Sequence, residues 1–278
     1  MIAIVQPLIA GNALRLFLEP PVGALLWRVL RKGSDAFANE VDPTALVVYE
    51  GDERVFVDSA ALKNDVMAFY RPFYSPDGAA WVAGATASGT PVASYEEHTT
   101  DVLSFIRDRL EAGLKIEVER GNLTAELGYI QVYTASPTLE RDQQMPLVTV
   151  HLENEEPDTR FIGEDMGDLR DVISGDWDES EGWLANVRLT IIGWSLNGDE
   201  RNELRKAMRR VVIANFPVFT DKGWLLPEFG LQDVDAVSGE YPAPIFQVMG
   251  SFSCVAPVRV SGVVDSVREV ISRSNVNG

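Results

Sequence analysis

The stretch Ile191-Ile192-Gly193-Trp194-Ser195-Leu196-Asn197-Gly198-Asp199-Glu200-Arg201 joins a segment of period two to a segment of period near 3.6. Upstream, Val187, Leu189 and Ile191 alternate along 183–196, the pattern of a strand with one buried face. Downstream, Leu204, Ala207 or Met208, Val211 and Asn215 recur at helical spacing, which predicts a helix over about 200–215 with Pro217 as its stop. Asn197 and Glu200 have the spacing of a capping box, with Asn in the place of Ser or Thr. Apolar runs at 231–237 and 245–255 read as strands, and 263–271 as a last strand or a short helix.

The same junction imitates two catalytic motifs and satisfies neither. Gly193-Trp194-Ser195-Leu196-Asn197 approaches G-x-S-x-G, but Asn replaces the last Gly. His98 and His151 also precede Ser195, whereas that fold orders its triad Ser, acid, His. Gly193 and Gly198 have P-loop spacing, but Asp199 stands where a Lys must meet phosphate. Asp176-Trp177-Asp178-Glu179-Ser180-Glu181-Gly182 imitates a calcium loop, yet an EF-hand needs Gly where Glu181 sits and Glu where Val187 sits. Neither enzymatic chemistry nor a metal or cofactor is expected.

The predicted helix is basic in an acidic chain. Arg201, Arg205, Lys206, Arg209 and Arg210 fall within ten residues against Glu203 alone, and Arg201, Arg205 and Arg209 follow i, i+4, i+8 along one stripe. Two readings fit: a solvated face paired locally with Asp199 and Glu203, or a stripe that docks on the acidic surface of a neighbouring subunit or partner. The opposite charge is concentrated over 140–181, with 14 acidic and three basic side chains. That segment is either a solvated loop region or a surface that repels phosphate.

Further upstream, Val102, Phe105, Ile106, Leu110 and Leu114 predict a helix over 100–114, capped by Thr99 or Thr100, with Gly113 a possible end. Runs at 127–133 and 147–152 read as strands. Helix, strands, helix, strands make an α+β domain with a mostly antiparallel sheet. Before it, short strands at 13–18, 24–30, 45–49, 54–58, 66–74 and 81–87 are broken by turn residues such as Ser75-Pro76-Asp77-Gly78, the spacing of a β-sandwich. The boundary falls at 95–100, so the expectation is a β-sandwich over 1–96 and an α+β domain over 97–278.

Composition sets the outer limits. The 278 residues suggest about two domains. One Cys and two His exclude a disulfide framework and a Cys/His zinc cage; Cys254 reads as a small core residue, and the compartment as reducing. A net charge of −18, from 24 basic and 42 acidic residues, argues against an open nucleic-acid face and against anionic membrane. Residues 1–16 are apolar but interrupted by Pro7, Gly11 and Asn12, and carry no cation before Arg15. No run approaches the roughly 20 apolar residues of a membrane span. The expectation is a soluble intracellular product.

Two resemblances add to this. Glu19-Pro20-Pro21, Leu26-Trp27-Arg28-Val29-Leu30-Arg31 and Met67-Ala68-Phe69-Tyr70-Arg71 resemble a fibronectin type III-like module over about 85 residues. The resemblance implies core places for Trp27 and Tyr70 and a spacer or decorative role. The stretch at 191–201 is followed by Leu204-Arg205-Lys206-Ala207-Met208-Arg209, then by Tyr241-Pro242-Ala243-Pro244-Ile245-Phe246-Gln247 and Phe252-Ser253-Cys254. Together these resemble a phage tail terminator or neck protein over about 100–270.

That second resemblance implies an α+β fold and a homo-oligomer, a hexameric ring on the head-proximal end of the tail tube. The ring ends tube polymerisation and presents a docking surface to the head connector. The implied partners are the tail tube protein and a head–tail connector or head completion protein, with the sheath protein a further candidate. DNA passes the lumen without specific binding, no membrane is involved, and the place is the virion tail or neck, assembled in the host cytoplasm. Arg201, Arg205, Lys206, Arg209 and Arg210 become candidates for a subunit or tube interface. Glu155, Glu156, Asp158, Glu164 and Asp165 become candidates for the lumen or a partner-facing surface. Another neck or collar component, and a virion binding module using the sandwich for glycan or receptor contact through Trp81 and Tyr74, stand as alternatives.

Overall fold

Alternation of Leu14, Leu16 and Leu18 into a common interior shows how the N-terminal strands arise: all three are buried, while Arg15 and Phe17 between them are not. The computed structural model describes residues 1–135, 144–158, 169–170, 177–235 and 245–263. The chain divides into two units, Met1–Glu97 with Gly167–Glu181 and Val260–Gly278, and His98–Met166 with Gly182–Arg259. The protein is β-rich, with two α-helices among the described residues.

The first unit carries β1 (Ile2–Pro7), β2 (Leu14–Leu18), β3 (Leu26–Lys32), β4 (Leu46–Gly51), β5 (Val55–Asp58), β6 (Ala68–Ser75), β7 (Val82–Ala83), β8 (Ala87–Gly89) and β9 (Tyr95–Glu97). One sheet has the order β1-β2-β5 and another β4-β3-β6-β7, with β8 also on β6. Leu14, Leu16, Leu18 and Phe56 of the first sheet share one core with Trp27, Val29, Tyr70 and Tyr74 of the second. Leu30 and Phe73 point to the other face of the second sheet, where Phe37 covers them. A buried carboxylate ties the sheets together: Asp58, at the end of β5, accepts hydrogen bonds from the Tyr70 hydroxyl at 2.9 Å and from Arg31 at 2.7 Å. Burial and the neighbouring Asp58 charge push the Tyr70 hydroxyl well above its usual range.

Three expectations change here. Strand β1, within residues read only as an interrupted apolar stretch, pairs antiparallel with β2. The run at 81–87 is not one strand, because the backbone breaks at Gly84, whose N–H donates to Pro72 O at 2.7 Å. A Cβ at Gly84 would come within 2.8 Å of the Pro72 ring. Tyr74 is buried beside Trp27, with ring centres 6.5 Å apart.

After β9 come α1 (Val102–Glu119), β10 (Val132–Tyr133), β11 (Leu147–Pro157), β12 (Leu169–Arg170), β13 (Trp177–Ser195), α2 (Gly198–Asp221), β14 (Leu225–Asp235) and β15 (Phe246–Val263). Their sheet has the order β10-β11-β13-β15-β14. β10 runs parallel to β11, while β11 with β13 and β14 with β15 are antiparallel. β12 pairs with the start of β13, and β9 with the end of β15. In the second unit both helices cover one sheet face. Ile106, Leu110 and Leu114 of α1 and Leu204, Met208 and Val211 of α2 pack on Val148 and Val150, Leu189 and Ile191, and Val248 and Phe252. No helix among the described residues is long and apolar enough to cross a membrane.

Both helices outrun their expected stops, for packing reasons. Asp101, rather than Thr99 or Thr100, caps α1 by accepting from Ser104 N at 3.1 Å. Gly113 lies inside α1 where it meets α2; a Cβ there would sit 2.4 Å from Val211 Cγ1, so glycine permits the close approach. Pro217 lies inside α2. It removes the hydrogen bond to Ile213 O on the helix's exposed side, where water can serve that carbonyl. Beyond the proline, Phe219 stacks on Trp224 and meets Phe252 edge-on, which holds the last turn. The run at 127–133 is strand only at Val132–Tyr133. β11, β13 and β15 are all longer than their apolar patterns suggested. Residues 236–237, 241–244 and 264–271 lie outside the described residues.

Candidate functional site

The strand–helix junction is a structural turn. Gly193 brings β13 under α2: a Cβ there would meet Leu204 Cδ2 at 2.7 Å and Val248 Cγ1 at 2.8 Å. Ser195 is fully buried, and its hydroxyl lies 3.1 Å from the carbonyl oxygens of both Asn197 and Phe246, which hold its proton. That hydroxyl is a clasp on the turn and not a nucleophile. Asn197 Oδ1 accepts from Glu200 N at 2.8 Å, and Glu200 accepts in return from Leu196 N at 3.1 Å. The segment from Trp177 onward, read as a calcium-loop imitation, is β13; Asp176 lies outside the described residues.

The five cations of α2 fall into different settings. Arg201 and Arg205 both reach Asp233 on β14, at 3.7 and 3.4 Å, and the Arg201 guanidinium lies 5.8 Å from the Phe246 ring centre. Lys206 pairs with Glu203 at 2.7 Å. Arg210 forms a charge-assisted pair with Glu117 of α1, which also accepts from Asn122 Nδ2 at 2.9 Å. Arg209 is exposed and makes no ion pair among the described residues. The stripe is therefore largely engaged within its own chain. The Arg210 hydrogen bonds hold the Glu117 carboxyl below its ordinary value, and Glu117 in turn raises Arg210.

Sequence reasoning missed Asp233 and Glu117, and with them a groove between α1 and α2. That groove, of about 360 Å³, is lined by Arg109, Arg120 and Arg210 around Glu117, over Ile116 and Val211. Glu117 and Arg120 would have drawn notice had the helix been carried past Leu114.

Of the five acidic candidates, Glu155 and Glu156 are exposed on β11, opposite Val187 and Asn186 of β13. β10 pairs with β11 only at Val148 and Thr149, so that side of β11 beyond Thr149 is a sheet edge among the described residues. Asp158 accepts from Asn186 Nδ2 at 3.0 Å, and its N–H donates to Leu184 O. Glu164 and Asp165 lie outside the described residues.

In the first unit no aromatic platform forms from Trp81 and Tyr74. Tyr74 is in the core, and the Arg28 guanidinium covers the Trp81 ring at 4.9 Å. Cys254 is buried among the second unit's apolar residues, and burial pushes its thiol up to about 12. Among the described residues no group of three or more His, Cys, Asp or Glu could hold a metal ion.

No protein-family model matches the chain, and no curated protein matches it. Among solved structures, the PVC sheath/tube terminator of an extracellular contractile injection system, in its extended state, is similar at 16% sequence identity and a TM-score of 0.33. The likeness spans 65% of this chain and 66% of that one, just under two thirds of its length.

Proposed function

We propose that the chain is a structural tail terminator: copies close into a hexameric ring on the head-proximal end of a tail tube, end its polymerisation and present a docking surface to the head connector. The observation that carries this reading is that one unit bears two unlike charged surfaces, exposed cations on its helices and exposed carboxylates on the edge of β11. A ring closes only by such heterologous contacts, one patch meeting a different patch on the next copy. The resemblance carried by 191–201, 204–209, 241–247 and 252–254 supplies the tube as context. The tube protein, a connector or head completion protein and the sheath protein are the partners this implies. A chain at −18 lets DNA pass a lumen without adhering.

In this reading 1–96 is a fibronectin type III-like module added to a ring-forming domain over 97–278. The division into β1-β2-β5 and β4-β3-β6-β7, with Trp27 and Tyr70 in the shared core, supports that assignment. A collar role suits the module better than glycan capture, because Tyr74 is buried. The test is particle assembly without the protein. Overlong or headless tails are expected, and tails of normal length joined to heads would overturn the proposal.

A further inference from the structure

The groove between α1 and α2 has the composition of a socket. Its floor is apolar, with Ile116 45% exposed beside Val211. Its rim is cationic: Arg109, Arg120 and Arg210 stand against one carboxylate, Glu117, which Arg210 pairs with directly and on which the Arg120 charge also acts. Arg109 donates to Asn215 Oδ1 at 2.5 Å, a neutral partner that leaves its charge uncompensated, and neither Arg109 nor Arg120 forms an ion pair among the described residues. In a chain at −18, three guanidinium groups against one carboxylate over an exposed apolar floor are suited to an acidic segment that also carries an apolar side chain.

The chain contains such a segment. On β11, Leu152 is 46% exposed and is followed by Glu153, Asn154, Glu155 and Glu156, all exposed on a strand whose outer edge lacks a partner among the described residues. In character, Leu152 complements the Ile116–Val211 floor, and the carboxylates of Glu155 and Glu156, which alternate to opposite faces of the strand, complement the charge of Arg109 and Arg120.

We infer that the α1–α2 groove of one copy receives the acidic edge of β11 from a second copy, so that these two surfaces form the contact between subunits. The inference rests on the ring reading and gives it a specific interface. Because the two surfaces differ, each copy offers one groove and one edge, and the contact propagates around a ring.

Charge exchange tests it on the full-length chain. Arg109→Glu with Arg120→Glu makes the groove acidic, and Glu155→Arg with Glu156→Arg makes the edge basic. All four positions are exposed, and circular dichroism checks that each variant is folded. By native mass spectrometry, loss of the oligomer is expected in each variant alone, since each then sets like charges against like. Mixing the two variants restores complementary contacts at every joint of an alternating ring, so an even-numbered oligomer is expected to return. A misfolded variant could not produce that rescue. Variants that assemble like the wild type, or a mixture that stays monomeric, would overturn the groove–edge contact while leaving a wild-type ring standing. A wild-type chain that is itself monomeric would overturn both.

Discussion

Glu117 shows how one side chain can join two elements and carry a pH response. It is nearly buried on α1, takes the Arg210 guanidinium from α2, and closes the turn after α1 through Asn122. Its carboxyl is held below its ordinary value of 4.5, first by the hydrogen bonds from Arg210. A carboxyl depressed in the folded state adds stability that is complete above its unfolded value and is lost as pH falls through its folded value. The wild type is therefore expected to exceed Glu117→Gln by about 1–2 kcal/mol at neutral pH, a modest figure because Arg210 keeps contact with water. Urea unfolding at stepped pH should show that difference shrinking below about pH 4.5. A difference constant down to pH 3 would remove Glu117 from this role.

At the scale of elements, the crossing of α1 and α2 depends on Gly113. Alanine is a better helix former by about 1 kcal/mol, so propensity alone favours Gly113→Ala. Its methyl, however, would be driven into Val211, and overpacking costs about 1–3 kcal/mol. Gly113→Ala is expected to be net destabilising by about 1 kcal/mol in the wild type and neutral or stabilising beside Val211→Ala, a coupling that urea unfolding of the four chains would measure.

The same residue shows how far the sequence was legible. Local periodicity found Leu14–Leu16–Leu18, the stripe from Leu204 to Asn215 and the Asn197 cap, because each is a pattern within a few residues. Pro217 read as a helix stop and Gly113 as an alternative end because their propensities are local, whereas what carries the helices through them is distant: Val211 nearly a hundred residues away, and the packing of Phe219 on Trp224 and Phe252. The i, i+4, i+8 spacing placed Arg201, Arg205 and Arg209 on one side of α2. It carried no sign that Asp233 would arrive from β14, or that Glu117 would arrive from α1 to take Arg210. The groove was illegible for the same reason, since its two walls come from helices far apart in the chain.

For the whole molecule, charge is the dominant quantity. Copies at −18 repel at long range, so association needs short-range joints where opposite charges meet, and salt should weaken those joints. The cationic groove and the acidic β11 edge on one chain offer such a joint, and unlike surfaces close into a ring when the rotation between copies returns to its start. Native mass spectrometry of the purified full-length wild type reads this most directly. A discrete closed species of six copies, dissociating as ionic strength rises, is the predicted result, and a spectrum showing only the single chain at every protein concentration would contradict it.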